Sequence, residues 1–369
     1  MIRVGFVLPH LRPGGAERCV VNWLRALDRE RFAPTLFLKR VEGDFLGLLP
    51  ADVTPVALGG ARAALLPLAI GRALAEHRID VAYSATNAVN LALMAARTGA
   101  RRVVSEHTPP EAYLAEAKLP ALRRMAMRRF YPRADAVAVP TEAIGGELER
   151  VLGVGLRTVT IPNPIVEPCA SPAKAGAQLR RSPQPGPGLR RGGAKFRILA
   201  AGRLVPAKGF DTLIDALALL GSPFEADIHG DGPLQGELQS RIDAAGLTDR
   251  VRLRGYADLA PAMMRADLFV LSSRREGFGN VIVEAMAAGL PVLATRTPGP
   301  GALIDDGVTG WLVPPEDPHA LAAAIARLAA DPQRGRIVAA ARAVADRYTV
   351  SASTQAFEAL LTRVRSMAA

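Results

Sequence analysis

The chain opens on a buried-strand pattern, Ile2-Arg-Val-Gly-Phe-Val-Leu8, followed by the loop His10-Leu-Arg-Pro-Gly-Gly15. Apolar positions then recur at helical spacing from Ala16 to about Asp28. Short apolar runs return at Pro34–Leu38, Val81–Ser84, Arg102–Ser105 and Ala136–Pro140, with helix-length segments between them, and Thr158 to Ile165 reads as the last strand of this half. From Phe196 the alternation starts afresh. Strands are expected at 196–200, 225–229, 251–254, 268–271 and 291–294, helices at 211–220, 234–245 and 281–288, and a helical tail from Pro318 onward to the C-terminus. Strands this short and apolar, alternating with helices, belong to parallel sheets covered on both faces. The expected fold is α/β: two doubly wound, Rossmann-like domains facing across a cleft. They span 1–165 and 195–369, with the last helix free to pack back on the first domain. Between them, 166–194 is rich in Pro, Gly and Arg with little to bury, so it reads as a flexible linker.

Length and composition agree. The 369 residues exceed one ordinary domain, and 49% hydrophobic with 22% charged residues is a globular balance. No stretch approaches the roughly 18–20 uncharged apolar residues that cross a bilayer. The first apolar run is one strand long with no small-residue cleavage site after it, so a cytoplasmic protein without a secretory signal is expected. Cys19 and Cys169 make no disulfide framework, and none of the five histidines stands in an HExxH or CxxC context, so no metal site is expected.

Charge changes the picture more. The chain carries +11, and two stretches lack acids altogether: Pro168 to Phe210 and Lys118 to Arg133. Basic patches suit nucleic acid, anionic lipid or phosphorylated substrates. Aromatics are only 5% and no nucleic-acid module is recognisable, which favours lipid or phosphate. Projected as a helix, Pro120 to Pro132 sets Leu122, Ala126 and Phe130 on one side and Arg124 and Arg128 opposite, with Arg123 and Arg129 flanking the apolar stripe. Such a helix either lies on an anionic membrane surface or turns an ordinary arginine face to water.

Two loops carry candidate chemistry. Ser272 to Val292 runs from a buried strand into a helix; Gly277 and Gly279 let the backbone approach a ligand, Asn280 suits the N-cap, Glu284 is expected in the first turn and Glu276 on the loop. A helix start favours an anion such as a diphosphate, and carboxylates accept hydrogen bonds from vicinal hydroxyls. Ala201 to Asp215 is again strand, glycine loop and helix, and projects Arg203 and Lys208. Lys208 is one of only five lysines among 46 basic residues. Gly14-Gly15 before a helix makes a flexible turn or an anion nest, and His107 ends a strand. Neither a Ser/His/Asp triad nor a GxxxxGK[ST] loop is present.

Taken together, Gly14-Gly15-Ala-Glu17, Glu106-His107, Pro162-Asn163-Pro164, Gly202-Arg203-Leu-Val-Pro-Ala-Lys208-Gly209-Phe210, Gly230-Asp231-Gly232-Pro233 and Glu276-Gly-Phe-Gly-Asn-Val-Ile-Val-Glu284 resemble the GT-B glycosyltransferases of family GT4. Ala285-Met-Ala-Ala-Gly289-Leu-Pro291-Val292 and Asp306-Gly307-Val-Thr-Gly310 extend the likeness over nearly the whole chain. Two features depart from it: Ala302 stands where relatives with a Gly-Pro-x-Glu-Ile segment have Glu, and the linker is long. The resemblance implies a retaining, metal-independent transferase without cofactor that takes a hexosyl or N-acetylhexosaminyl group from a nucleotide-diphosphate sugar, UDP-sugar favoured. It implies catalytic roles for Arg203, Lys208, Glu276 and His107. Donor binding falls to Gly14, Gly15, Gly202, Arg203, Lys208, Gly230, Gly277, Phe278, Gly279, Asn280 and Glu284, with Glu284 on the ribose and Glu276 on the transferred sugar. The basic helix, through Arg123, Arg124, Arg128 and Arg129, suggests a lipid-linked or surface-polysaccharide acceptor and a peripheral place on the inner face of the plasma membrane. A GDP-mannose-dependent mannosyltransferase, a non-catalytic nucleotide-sugar-binding protein and a UDP-N-acetylglucosamine epimerase remain as alternatives.

Overall fold

In the computed structural model the described residues are 1–59, 63–115, 117–165 and 195–367; the expected linker at 166–194, with Cys169, lies outside them. The chain divides into two units, Met1–Glu167 with Tyr348–Ala369, and Pro168–Arg347.

The first apolar run forms β1 (Ile2–Leu8), buried from Val4 onward. It leads through α1 (Gly15–Ala26) to β2 (Phe32–Leu38), the two-residue β3 (Val56–Ala57), α2 (Leu66–Glu76), β4 (Val81–Ser84), α3 (Asn87–Ala95) and β5 (Arg101–Ser105). Then come α4 (Pro110–Ala115), α5 (Pro120–Phe130), β6 (Ala136–Val139), α6 (Glu142–Leu152) and β7 (Thr158–Thr160). The strands pair in parallel in the order β3-β2-β1-β4-β5-β6-β7. Strand β2 starts two residues earlier than the pattern predicts and contains Pro34. Because β3 pairs only with Phe37 and Leu38, Pro34 has a strand on one side alone, where a missing donor is tolerated. Strand β7 stops at Thr160 rather than Ile165, since Pro162 and Pro164 cannot donate to a ladder.

The second unit repeats the plan: β8 (Phe196–Ala201), α7 (Phe210–Ala218), β9 (Phe224–His229), α8 (Gln235–Ala244), β10 (Val251–Leu253), α9 (Ala260–Met263), β11 (Leu268–Leu271), α10 (Asn280–Ala287), β12 (Val292–Thr295), α11 (Pro298–Leu303), β13 (Trp311–Val313), α12 (Pro318–Ala330) and α13 (Val338–Ala345). Its parallel sheet has the order β10-β9-β8-β11-β12-β13. In both sheets the order reverses beside the first strand, between β1 and β4 and between β8 and β11. Ligands of doubly wound sheets bind outside the carboxyl ends of the strands at that switch point.

The expected helical tail is broken into pieces. Asp317 caps α12 by accepting from Ala320 N, and Thr349 caps a final helix, α14 (Val350–Ser366), by accepting from Ala352 N. Helix α14 packs in the first unit. Phe357 stacks on Trp23 with centroids 4.4 Å apart, Tyr83 meets Phe357 edge-on, and all three side chains are buried together. At the helix end, Arg365 pairs with Asp80 at 3.1 Å.

Candidate active site

Strands β8 and β11 are neighbours, with Ile198 opposite Leu268, so the loops leaving their carboxyl ends run side by side at the switch point of the second unit. This adjacency brings Lys208 Nζ to 2.5 Å from Glu276 Oε2, with the two side chains 23% and 13% exposed. The loops are also tied through their backbones. Ser272 Oγ donates to Lys208 O at 3.1 Å, and the Arg274 and Arg275 amides donate to Ala207 O. The Arg274 guanidinium grips both Asp211 oxygens at 2.7 Å, Pro206 O at 2.9 Å and Glu316 at 3.0 Å. That grip holds the Asp211 carboxyl below the usual carboxylate range and keeps Arg274 charged. Gly209 sits at φ 62°, and a Cβ there would lie 2.2 Å from Ser272 O, so only glycine lets the cationic loop reach its neighbour. Gly202 donates its amide to His229 O, Gly230 packs directly on the Gly202 carbonyl, and the aliphatic stem of Lys208 lies over Gly202. Arg203 is exposed on the same loop.

The start of α10 differs from the sequence expectation. Gly279, at φ 91° and ψ 58°, is the N-cap, and Asn280 is the first helical residue. Glu284 therefore falls in the second turn, half-buried, not in the first. The reason is steric: the chain enters the helix with a positive φ that asparagine reaches at greater cost, and a Cβ at 279 would meet Ile282 Cδ1 at 2.9 Å. Gly277 and Phe278 are buried, and the Phe278 backbone rests on Gly299, whose amide donates to Glu276 O at 3.0 Å. Glu276 is thus fixed from both sides. Lys208, Gly202, Gly230 and the 276–280 segment all belong to this second unit; Gly14, Gly15 and His107 belong to the first.

In the first unit, His107 follows the carboxyl end of β5 and is half-buried. Its Nε2 lies 3.0 Å from Ser105 Oγ. Burial drives its pKa down to about 4, outweighing the opposing effect of a hydrogen bond with Asn163, so the imidazole is neutral near pH 7. Residues that the sequence reading left without a role hold this region. Glu106 is buried and accepts from Asn87 Nδ2 at 2.9 Å, from Asn90 Nδ2 at 3.1 Å and from the Tyr131 hydroxyl. Burial raises its pKa above the usual carboxylate value. The Pro162-Asn163-Pro164 bend is held by Ser353 Oγ, which donates to Pro162 O, and by Asn22 Nδ2, which donates to Pro164 O at 2.6 Å. Trp23 Nε1 in turn donates to Ser353 Oγ at 2.9 Å. Only the Pro-Asn-Pro motif itself was a local signal for this arrangement.

Gly14 does not form an anion nest. It is extended, at φ −167° and ψ 156°, and neither Gly14 nor Gly15 takes the left-handed conformation that a nest alternates with. The carboxylate of Glu17 already lies against Gly14, so the start of α1 faces an acid of its own helix.

Helix α5 corrects the projected stripe. Its core-facing residue is Met127, fully buried, while Leu122 is 54% exposed. Arg123 is half-buried over the Tyr113 ring at 5.2 Å, and Arg124, Arg128 and Arg129 are exposed. With few apolar residues in a short arginine-rich helix, the period alone did not fix which face docks. Among the described residues, no helix is long and apolar enough to cross a membrane, and no group of three His, Cys, Asp or Glu side chains is placed to hold a metal.

Comparison with known proteins adds to this geometry. Residues 13–166 match the family model described as Glycosyltransferase Family 4, and residues 195–331 the model described as Glycosyl transferases group 1. The alpha-D-kanosaminyltransferase of Streptomyces kanamyceticus is 38% identical over 164 residues, covering 42% of each chain. The lipopolysaccharide core biosynthesis glycosyltransferase LpsE of Rhizobium meliloti is 36% identical over 135 residues, covering 36% of this chain and 39% of its own. These alignments therefore span about two fifths of the curated relatives' length. The crystal structure of HepE from Anabaena in complex with UDP and glucose matches with a TM-score of 0.78 at 25% identity, over 98% of this chain and 100% of that one. With both halves matched and the parallel sheets in place, the chain belongs to family 4 of the glycosyltransferases, group 1, and has the GT-B fold of two Rossmann-like units.

Proposed function

We propose that the protein is a retaining hexosyl- or N-acetylhexosaminyltransferase. It takes its sugar from a UDP-sugar and passes it, without a metal ion, to a saccharide carried on a lipid or a growing surface polysaccharide. The observation that carries this reading is the meeting of Lys208 and Glu276 at the switch point of the second unit. A cation and a carboxylate there suit the two ends of a diphosphate sugar. HepE, which holds UDP and glucose, supports the UDP-sugar, and LpsE, named for lipopolysaccharide core biosynthesis, supports a lipid-borne saccharide acceptor.

In the proposed reaction Lys208 and Arg203 face the diphosphate beside the positive end of the α10 dipole. Negative charge grows on the departing phosphate as the glycosidic bond stretches, and fixed cations stabilise that charge more than they stabilise the bound donor. Glu276 accepts from hydroxyls of the transferred sugar, and Glu284 from those of the ribose. His107, being neutral, serves as a hydrogen-bonding group toward the sugar and not as a cation. The acceptor hydroxyl attacks from the face the leaving phosphate departs, and that phosphate takes its proton, so no covalent nucleophile is assigned. The proposed site of action is the cytoplasmic face of the membrane.

A thermal-shift panel of UDP-, GDP- and ADP-sugars, each with and without EDTA, tests the reading. A ligand at about 100 times its Kd stabilises by about 2.7 kcal/mol, and UDP-sugars are expected to do so irrespective of EDTA. Stabilisation by GDP-mannose alone would move the assignment to a mannosyltransferase. Binding without turnover on any saccharide acceptor would favour the non-catalytic reading.

A further inference from the structure

Helix α5 turns apolar side chains outward. Leu119, Leu122 and Met125 are 64%, 54% and 61% exposed within seven residues of one another. Scattered exposed apolar residues are ordinary on a protein surface, whereas a cluster marks a binding face. At 3.6 residues per turn, Leu122, Met125 and Arg129 share the side opposite the buried Met127. Beside this face is a groove of about 610 Å³ between α3, α4 and α5. Leu91, Tyr113, Leu122 and Ala126 give it apolar walls, and Lys118 and Arg123 supply cations to its lining. The Arg123 guanidinium is held over Tyr113, which fixes one of those cations beside the apolar wall. Arg129 shares the side of Leu122 and Met125, while Arg124 and Arg128 project from the flank of α5 away from the groove. All three are exposed, as is Arg133, and no acid interrupts the chain from Lys118 to Arg133. The nearby Glu111 is engaged with Arg150 at 3.1 Å.

We infer that this face docks on an anionic phospholipid bilayer, with Leu119, Leu122 and Met125 entering the acyl boundary, one lipid hydrocarbon chain in the groove, and the arginines on the phosphates. Charge complementarity selects the occupant. A bilayer of acidic lipids supplies hydrocarbon and a dense layer of phosphate side by side, which is what this face presents to it in complement. The inference deepens the membrane-side part of the proposed function and rests on that reading only in calling the acceptor lipid-borne.

Flotation of the full chain with phosphatidylcholine vesicles, with and without phosphatidylglycerol, is the test. Wild type is expected to float with phosphatidylglycerol-containing vesicles and not with phosphatidylcholine alone, and to release as salt rises. Leu122→Asp with Met125→Asp is expected to lower partitioning about tenfold, and Arg128→Glu with Arg129→Glu at least as much, since each basic residue near such a surface contributes appreciably. These side chains are exposed, so the melting temperature should stay put and exclude misfolding as the cause. Failure of the wild type to float would overturn the proposal. So would unchanged flotation of the aspartate variant, because charge alone would then account for adsorption. A dimer that Leu122→Asp dissolves, without vesicle binding, would assign the face to a second copy instead. Flotation does not depend on the donor: a protein that floats but that no nucleotide sugar stabilises supports the docking face while defeating the transfer reading.

Discussion

Lys208 Nζ and Glu276 Oε2 are 2.5 Å apart although 68 residues separate them in the chain. The pair exists because β8 and β11 are adjacent at the point where the strand order reverses, so the loops above them share one location. Each member stands where the other's proposed ligand would bind: the Glu276 carboxylate holds the place of the diphosphate on Lys208, and the Lys208 ammonium holds the place of the sugar hydroxyls on Glu276. In the proposed reaction the diphosphate would replace Glu276 as partner of Lys208, and sugar hydroxyls would replace Lys208 as partner of Glu276. Neither charge is left bare in the exchange. Both side chains are largely buried, so the cost of taking the two charges from water offsets much of their attraction and the pair itself adds little to folding.

Lys208→Ala should consequently be a lesion of turnover and not of folding. Loss of one group that stabilises developing negative charge typically lowers kcat by about 10²–10³-fold, and that is the expected drop with a radiolabelled UDP-sugar donor. The melting temperature should move by no more than a few degrees. Near-wild-type kcat would remove Lys208 from the assignment.

Gly209→Ala should damage the same site through the backbone. The position has φ 62°, and the added Cβ would lie 2.2 Å from Ser272 O, a backbone atom that cannot swing away. A cost of about 1–3 kcal/mol is expected in urea unfolding, together with loss of thermal stabilisation by the donor as the 203–209 loop is displaced. Gly146→Ala is the control. That glycine lies inside α6 with nothing within 4 Å of an added Cβ, so the substitution should stabilise by about 0.5–1 kcal/mol.

The sequence pattern located what local spacing determines. Val81–Ser84 and Leu268–Leu271 are strands at the expected residues, because a short buried run between polar neighbours has one reading. Strands β3 and β13, of two and three residues, carry no run long enough to register. Arg203, Lys208, Glu276 and Glu284 were marked by glycine loops that join strand to helix. The cap at Gly279 was misplaced by one residue because the sequence offered a good capping side chain next to a glycine that the backbone needed more. What stayed illegible is held together over long separations. Ser353 reaches Pro162 across 191 residues and Trp23 across 330, and no local period records either bond. Arg274, which locks the cationic loop through Asp211, read only as one of two adjacent arginines.

Glu106 should separate two kinds of substitution. Glu106→Ala strands the buried Tyr131 hydroxyl and takes one acceptor each from Asn87 and Asn90, which keep Tyr131 Oη and Ser105 O. Each unsatisfied group costs about 1–3 kcal/mol, so a loss of several kcal/mol is expected. Glu106→Gln keeps an acceptor oxygen and should fold. Its stability relative to wild type should also depend on pH. The folded pKa of Glu106 is raised by burial, so the wild type has this carboxyl's full stability below the unfolded value and loses part of it as pH rises through the folded one. The glutamine variant cannot ionise. Urea unfolding at pH 5 and pH 8 should show it gaining on wild type at the higher pH, and an unchanged difference would count against a strained carboxyl.

His107 carries the opposite sign. Its pKa in the folded protein is about 4, below the ordinary histidine value of about 6.5. Its neutral form therefore supports the fold fully above about pH 6.5, and that support is lost as pH falls toward 4, where the unfolded chain takes up a proton the folded chain refuses. His107→Gln should remove this part of the acid sensitivity, visible as a shallower decline in unfolding free energy between pH 7 and pH 5. Nitrogen-15 spectra of labelled histidine should show an imidazole still neutral at pH 5 whose resonance is absent from the His107→Gln variant. Asn163→Ala removes the hydrogen bond that favours the charged form, so the same resonance should stay neutral to still lower pH unless the bend opens to water. Titration of His107 near pH 6.5 in the wild type would show a solvated ring, and its role as an uncharged partner of the transferred sugar would have to be abandoned.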